Sequence, residues 1–283
     1  MKDSMFFAPT GIEEAVKLLA EHGEKATILA GGTDLVPKIN YYDLRPDILV
    51  YIGGIGLNFI KNKSGRLVIG AGTSWTSLIG NALLAEKASA LAEAARLGGS
   101  WAIRNAGTIG GNLANASPAA DLATPLLAMD AELLLSSTGG ERIVPIKEFF
   151  KGPGETALRA DELIAEIYVP PVKGKTVFLK LGRRKSMTLS VVNVSVCLDM
   201  EDRTCNEARV ALGSMAPTPI RCTKAEDKIK GKKVDEALIN ECATTAIAES
   251  NPVDDQRATA WYRKKAGQAL VARALAQAAG IDR

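Results

Sequence analysis

The chain has 283 residues, of which 47% are hydrophobic, 24% charged and 5% aromatic, with 35 basic against 32 acidic side chains, four cysteines and one histidine. That length accommodates one or two compact domains, and a net charge of +3 with both signs interspersed argues against a nucleic-acid surface. One histidine excludes multi-histidine metal sites, and no run reaches the roughly 20 apolar residues of a transmembrane helix, so membrane insertion is not expected. The opening segment, Met1 to Pro9, lacks the apolar stretch of a secretory signal, which makes the cytoplasm the expected compartment. Cys197, Cys205, Cys222 and Cys242 never form a CxxC pair, so they are expected as buried thiols rather than ligands of an iron–sulfur cluster.

The first predicted helix has Thr10 as N-cap, Glu13 completing a capping box and Gly23 as the stop, with Ile12, Ala15, Val16 and Leu19 at helical spacing. His22 falls in its last turn, where a partly positive side chain suits the helix dipole. Ala26–Ala30 reads as a short strand broken by Gly31-Gly32-Thr33-Asp34, and Ile48–Ile52 as a second strand bounded by Pro46 and Gly53-Gly54. Leu67–Gly72 is the next strand, followed by alanine-rich helices over Leu78–Glu86 and Ser89–Leu97. The stretch from Arg104 to Ala116 has neither helical nor strand periodicity and almost no charge. Ser117-Pro118 then offers an N-cap with proline at the first helical position, and Pro125 is expected to bend or break the helix begun there.

Glu132–Ser137 and Arg142–Val144, joined across Thr138-Gly139-Gly140, suggest a hairpin, and Leu163–Val169 a strand closed by Pro170-Pro171. That proline pair marks the best internal boundary. Beyond it, Thr176–Lys180, Val191–Met200 and Glu207–Gly213 alternate like an antiparallel sheet, and the tail is helical over Glu236–Ala248 and Ala258–Ala279. Strands in small groups, without regular βαβ alternation, predict an α+β fold.

The two glycine-rich loops carry the chemistry. Glycine lets backbone N–H groups converge on an anion without lysine. In Gly31-Gly32-Thr33-Asp34 and in Thr108-Ile109-Gly110-Gly111-Asn112 a threonine hydroxyl adjoins a glycine pair, and two such loops suit a diphosphate. Read alone, the first is weak evidence and reads as an ordinary turn. The second is too long and too uncharged for a mere connection. No Gly-x-Gly-x-x-Gly opens a helix after the first strand, and Gly174-Lys175-Thr176 lacks the upstream glycine of a P-loop, so it reads as a turn.

Ile28 to Leu35 and Ala106 to Asp121 resemble the two FAD-binding signatures of the molybdenum hydroxylase flavoproteins, the medium subunits of carbon monoxide dehydrogenase and bacterial xanthine dehydrogenase-type enzymes. The resemblance extends through Phe178–Arg184 to Tyr262-Arg263, essentially the whole chain. It implies a two-part FAD-binding domain of the PCMH type, residues 1–55 and 56–175, plus a C-terminal domain, 176–283, with a three-stranded antiparallel sheet and a helical bundle. It further implies that Leu29, Ala30, Gly31, Gly32, Thr33, Asp34 and Leu35 wrap the pyrophosphate of a non-covalent FAD. Ala106, Gly107, Thr108, Gly110, Gly111 and Asn112 would complete that cradle. Ser117 and Asp121 would orient ribityl and adenosine-side hydroxyls, and Ile164 would pack on the rings.

Lys180, with Arg183 and Arg184 as alternatives, is the candidate cation for tuning the flavin; a solvated basic turn is the competing reading. The implied role is an electron-transfer subunit. It would stand between [2Fe–2S] clusters on a small partner, fed by a molybdenum cofactor on a large one, and NAD or another acceptor, in a dimer of heterotrimers. A self-contained flavin oxidase or reductase, or a nucleotide-binding assembly module without turnover, are the alternatives.

Overall fold

The computed structural model of the chain describes Ser4 to Ile281, so Met1-Lys2-Asp3 and Asp282-Arg283 lie outside the described residues. Three larger sheets follow one another along the chain, with a small two-stranded sheet, Phe150–Gly152 paired with Glu155–Thr156, besides them. The first is parallel, with Ile48–Tyr51 in the centre between Met5–Phe7 and Ala26–Leu29. The second is antiparallel, in the order Ile60–Lys63, Arg66–Gly70, Leu163–Val169, Glu132–Ser137, Gly140–Pro145. The third is antiparallel too, with long strands Lys175–Gly182, Ser190–Glu201 and Thr204–Gly213 and a two-residue edge strand, Ile220–Arg221. Two of the hairpins turn on adjacent left-handed residues, Ser64-Gly65 and Asp202-Arg203, whose twist matches that of the flanking strands.

The first two sheets share one apolar core. Ala15, Val16 and Leu19 of helix Ile12–His22 and Ile48 and Val50 of the first sheet belong to the same buried cluster as Ile69, Leu133 and Ile167 of the second. The third sheet has its own cluster, built from Val192, Val194 and Val196 against Val271 and Leu275 of helix Ala260–Ala279 and Ala243 of helix Glu236–Ala248. The four cysteines are buried free thiols. Burial raises them all, Cys197 to about 12 and Cys205 and Cys242 to about 11, so each stays protonated at neutral pH.

Local details differ from the sequence reading where long-range partners intervene. The first helix is capped at Gly11 without a side chain, and Thr10 reaches past Glu13 to Glu14, donating from both its N–H and its hydroxyl to Oε2. Gly80-Asn81 divides the expected helix Leu78–Glu86 into Trp75–Ile79 and Ala82–Lys87, because the Asn81 side chain caps the second piece. The aperiodic stretch begins within one short helix, Trp101–Ala106, and contains another, Ile109–Ala114, each N-capped by a hydroxyl. No helix begins at Ser117-Pro118. The helix is Ala123–Ala128, and Pro125 sits in its first turn, where its missing N–H breaks nothing. His22 stacks on Phe7, with ring centroids 5.6 Å apart.

The C-terminal helices are tied down by a buried charge. Arg263 is 1% exposed; its guanidinium donates to the carbonyls of Val191 (2.6 Å) and Ser214 (3.2 Å) and to Asp255 (2.7 Å). Asp255 also accepts from the N–H and guanidinium of Arg257. Burial opposes ionisation of Asp255, but the hydrogen bonds and charge of Arg257 and Arg263 prevail and hold its carboxyl well below the usual carboxylate range. A depressed carboxyl stabilises the fold above its unfolded pKa of about 4, and that contribution is lost as pH falls through the folded value. Chemical denaturation between pH 4 and pH 2 is therefore expected to show a steeper loss of stability in the wild type than in Asp255→Asn, which lacks the titrating group. Parallel acid limbs would show that Asp255 is not the anchor of Arg263.

Candidate functional site: a cleft between two glycine loops

Strand Ala26–Leu29 delivers Ala30-Gly31-Gly32-Thr33 to the top of the first sheet, and the chain then turns into helix Leu35–Tyr41. Two of these glycines are sterically required. A Cβ on Gly31 would stand 1.8 Å from the carbonyl oxygen of Ala106, and Gly32 has φ +69°, a left-handed conformation. The second loop is held from behind by the segment after strand Arg66–Gly70. Gly110 donates to the Ala71 carbonyl (2.8 Å), Ile109 to Thr73 (3.0 Å), and Trp75 to Gly107 (3.1 Å). A Cβ on Gly110 would collide with Ala71 at 2.7 Å. Between the loops lies a cleft of about 380 Å³.

Of the residues expected to bind the cofactor, Leu29, Ala30, Gly31, Gly32, Thr33, Asp34, Leu35, Gly107, Thr108, Gly110, Gly111, Asn112 and Ile164 line this one cleft. The sequence reading missed Trp75, Lys38, Asn115, Leu158 and Leu163 on its walls. Trp75, whose indole N–H donates to the Thr108 carbonyl at 3.4 Å, carries no local motif; only the fold brings it here.

The two loops contribute differently from the expected pair of backbone cradles. Among the described residues the N–H groups of Gly31, Gly32, Thr33 and Asp34 have no backbone carbonyl as partner, so the first loop keeps its donors for a ligand. The second loop spends its own. Ile109 and Gly110 donate to Thr73 and Ala71, Gly111 to the Thr108 hydroxyl (3.0 Å), and Asn112 to the Thr108 carbonyl (3.0 Å). What it offers the cleft is side chains. Asn112 Oδ1 is buried without a hydrogen-bond partner, and a buried acceptor of that kind is normally satisfied.

Four expected site residues do not line the cleft. Ala106 supports it from behind, through the carbonyl against Gly31. Ser117 closes a turn, its Oγ accepting from the Ala119 N–H at 3.2 Å. Asp121 is 5% exposed and its oxygens are taken by Lys180 (2.6 Å), Ser190 (2.6 Å) and Asn193 (3.2 Å). Lys180 donates also to the Thr188 carbonyl at 2.9 Å, so its charge is committed to the joint with the third sheet rather than displayed to the cleft. Arg183 and Arg184 likewise bond to carbonyls, of Gln256 and Met187.

An oxidised flavin dinucleotide fits what the cleft provides. Free amides suit a diphosphate, apolar walls such as Ile164, Leu163 and Trp75 suit ring systems, and an unpaired buried acceptor suits a ligand hydroxyl. Neither histidine nor cysteine is among the described residues lining it.

Comparison with known proteins agrees with this chemistry. The family model "FAD binding domain in molybdopterin dehydrogenase" matches residues 2–172, and "CO dehydrogenase flavoprotein C-terminal domain" matches 177–278. The glyceraldehyde dehydrogenase medium chain of Sulfolobus acidocaldarius is 32% identical over 270 residues, 95% of each chain. The xanthine dehydrogenase FAD-binding subunit of Escherichia coli is 30% identical, over 94% of this chain and 93% of its own. Among solved structures, a chain of carbon monoxide dehydrogenase from Hydrogenophaga pseudoflava superposes with a TM-score of 0.94 at 33% identity, over 99% of this chain and 98% of that one.

Two substitutions test the geometry. Gly31→Ala forces a methyl against the Ala106 carbonyl and is expected to destabilise the chain by about 1–3 kcal/mol, while Gly11→Ala, with nothing within 4 Å, stays within about 0.5 kcal/mol of wild type. Equal denaturation midpoints for the two variants would contradict the close approach. Lys180→Met leaves the buried Asp121 carboxylate without its cation, at an expected cost of about 3 kcal/mol, and adding Asp121→Asn is expected to recover most of that loss. Additive effects of the two changes would contradict the pairing.

Proposed function

The chain belongs to the family of FAD-binding subunits of molybdopterin dehydrogenases, and from that membership we propose that it holds FAD non-covalently in the cleft as the electron-transfer subunit of a molybdenum hydroxylase. When bound, FAD supplies the redox chemistry, and the protein supplies binding, orientation and electrostatics. In this reading the free amides of Gly31 to Asp34 and the hydroxyls of Thr33 and Thr108 hold the diphosphate. Asn112 takes a hydroxyl, and Ile164, Leu163 and Trp75 form the walls that exclude water. The unpaired Asn112 Oδ1 carries the proposal, since it is an acceptor already buried in the cleft and lacking only a donor. Ser117 and Asp121, proposed from the resemblance to reach cofactor hydroxyls, accept hydrogen bonds from Ala119 and from Lys180, Ser190 and Asn193 respectively. Electron relay itself needs no acid or base from this chain, which accords with a wall that carries no histidine.

The proposal extends to the assembly. A small subunit carrying [2Fe–2S] clusters and a large one carrying the molybdenum cofactor would sit upstream, and NAD or another acceptor downstream, in a cytoplasmic dimer of heterotrimers. The proposed domain limits, near residues 55 and 175, follow the succession of sheets.

Incubation of the purified chain with FAD is expected to give one equivalent with an oxidised-flavin spectrum, all released by acid. Asn112→Ala is expected to raise the FAD dissociation constant roughly tenfold, the effect of one buried hydrogen bond, without lowering the unfolding temperature. A chain that takes up no flavin would favour the assembly module, and flavin retained in the acid precipitate would contradict non-covalent binding.

A further inference from the structure

The charge inside the cleft reduces to a single pair. Among the described residues lining it, Lys38 is the only cation and Asp34 the only carboxylate. Asp34 occupies the N-cap of helix Leu35–Tyr41, where aspartate ordinarily accepts from the second or third helical N–H, yet its side chain caps nothing. The reason lies in the two residues that would be capped. The Val36 N–H already donates to the Gly32 carbonyl at 3.0 Å, and Pro37 has no N–H. Released from the cap, the carboxylate turns to Lys38, whose ammonium lies 2.5 Å from Oδ2, and accepts at Oδ1 from the Asn115 amide at 3.4 Å. Lys38 in turn donates to Asn115 Oδ1 at 3.3 Å. Asn115 follows helix Ile109–Ala114 of the second loop. A three-membered polar clasp therefore spans the cleft mouth, joining the first loop to the second.

A carboxylate on the loop that is to wrap a diphosphate is electrostatically wrong by itself, because like charges repel. We propose that Lys38 is an affinity-determining positioning residue of this cleft: clasped between Asp34 and Asn115, its ammonium cancels the carboxylate that the first loop carries toward a dinucleotide diphosphate. This rests on the FAD reading above and adds to it the device that makes the first loop tolerant of an anionic ligand. Lys38 acts through Asp34 rather than as the phosphate's own ligand. Both side chains are about half exposed, so the pair adds little to folding stability and its effect belongs to binding.

The test is a double-mutant cycle read by FAD titration and FAD release rate on the purified chain. Lys38→Met is expected to raise the FAD dissociation constant about tenfold at low salt, mainly through faster release, and the difference from wild type is expected to shrink at about 0.5 M salt. Asp34→Asn is expected to bind at least as tightly as wild type, and the Asp34→Asn/Lys38→Met double variant to return to within about threefold of it. Thermal unfolding of all three without FAD is expected to match wild type. A double variant as weak as Lys38→Met would overturn the charge-cancelling role, since the lysine would then act directly on the phosphates. Wild-type affinity in Lys38→Met would overturn the inference while leaving the FAD reading intact; a wild type that binds no FAD overturns both.

Discussion

The arrangement of the cleft depends on two backbones meeting where no side chain can stand between them. Gly31 lies against the carbonyl of Ala106 so closely that a Cβ would sit 1.8 Å from the oxygen. Gly110 lies against Ala71 on the opposite side of the second loop. These two contacts fix the spacing of the loops, and the spacing decides what else can happen. It leaves the amides of residues 31–34 facing a cavity instead of a carbonyl. It also brings Asn115 within reach of Asp34 and Lys38. An added methyl at either glycine would displace backbone, which is far less compliant than a side-chain tip.

The division of labour between the loops follows from how each is supported. The first emerges from an edge strand of a parallel sheet and enters a helix at Leu35, so the amides of residues 31–34 precede the helical ladder and meet no carbonyl. The second must be anchored to the segment after strand Arg66–Gly70, and its amides are consumed by that anchoring and by its own helical turn. Its contribution to a ligand is therefore made with side chains, of which Asn112 is the one buried and unpaired. A loop cannot both brace itself with its N–H groups and present them to an anion.

The third sheet is joined to this body by Phe178, Cys197 and Ala211, which enter its apolar core, and by polar groups buried at the seam. Asp121 and Thr124 on one side meet Lys180, Ser190 and Asn193 on the other, and Thr124 donates to Asn193 at 2.7 Å. Buried charges of this kind fix relative position more than they add net stability, because desolvation offsets most of their attraction. Asp121 and Lys180 thus have a structural task that motif resemblance alone assigns to the cofactor.

Much of this was legible in the residues. The glycine pairs marked the close approaches, and apolar runs and alternation identified the longer strands, while Met5–Phe7, Ile60–Lys63 and the edge strand Ile220–Arg221 were not anticipated. Composition alone removed a metal centre with several histidines. Helix limits near Thr10, Gly80 and Ser117 were misread because their caps are chosen among competing local partners. The sequence by itself determined where one backbone can come close against another, since glycine content is a local property. Only the tertiary structure decided which donors remain free, that Lys180 faces Asp121 rather than the cleft, and that Lys38 and Asn115 meet across its mouth. Those outcomes depend on pairs 59 and 77 residues apart, and no local pattern encodes a distance that only the folded chain closes.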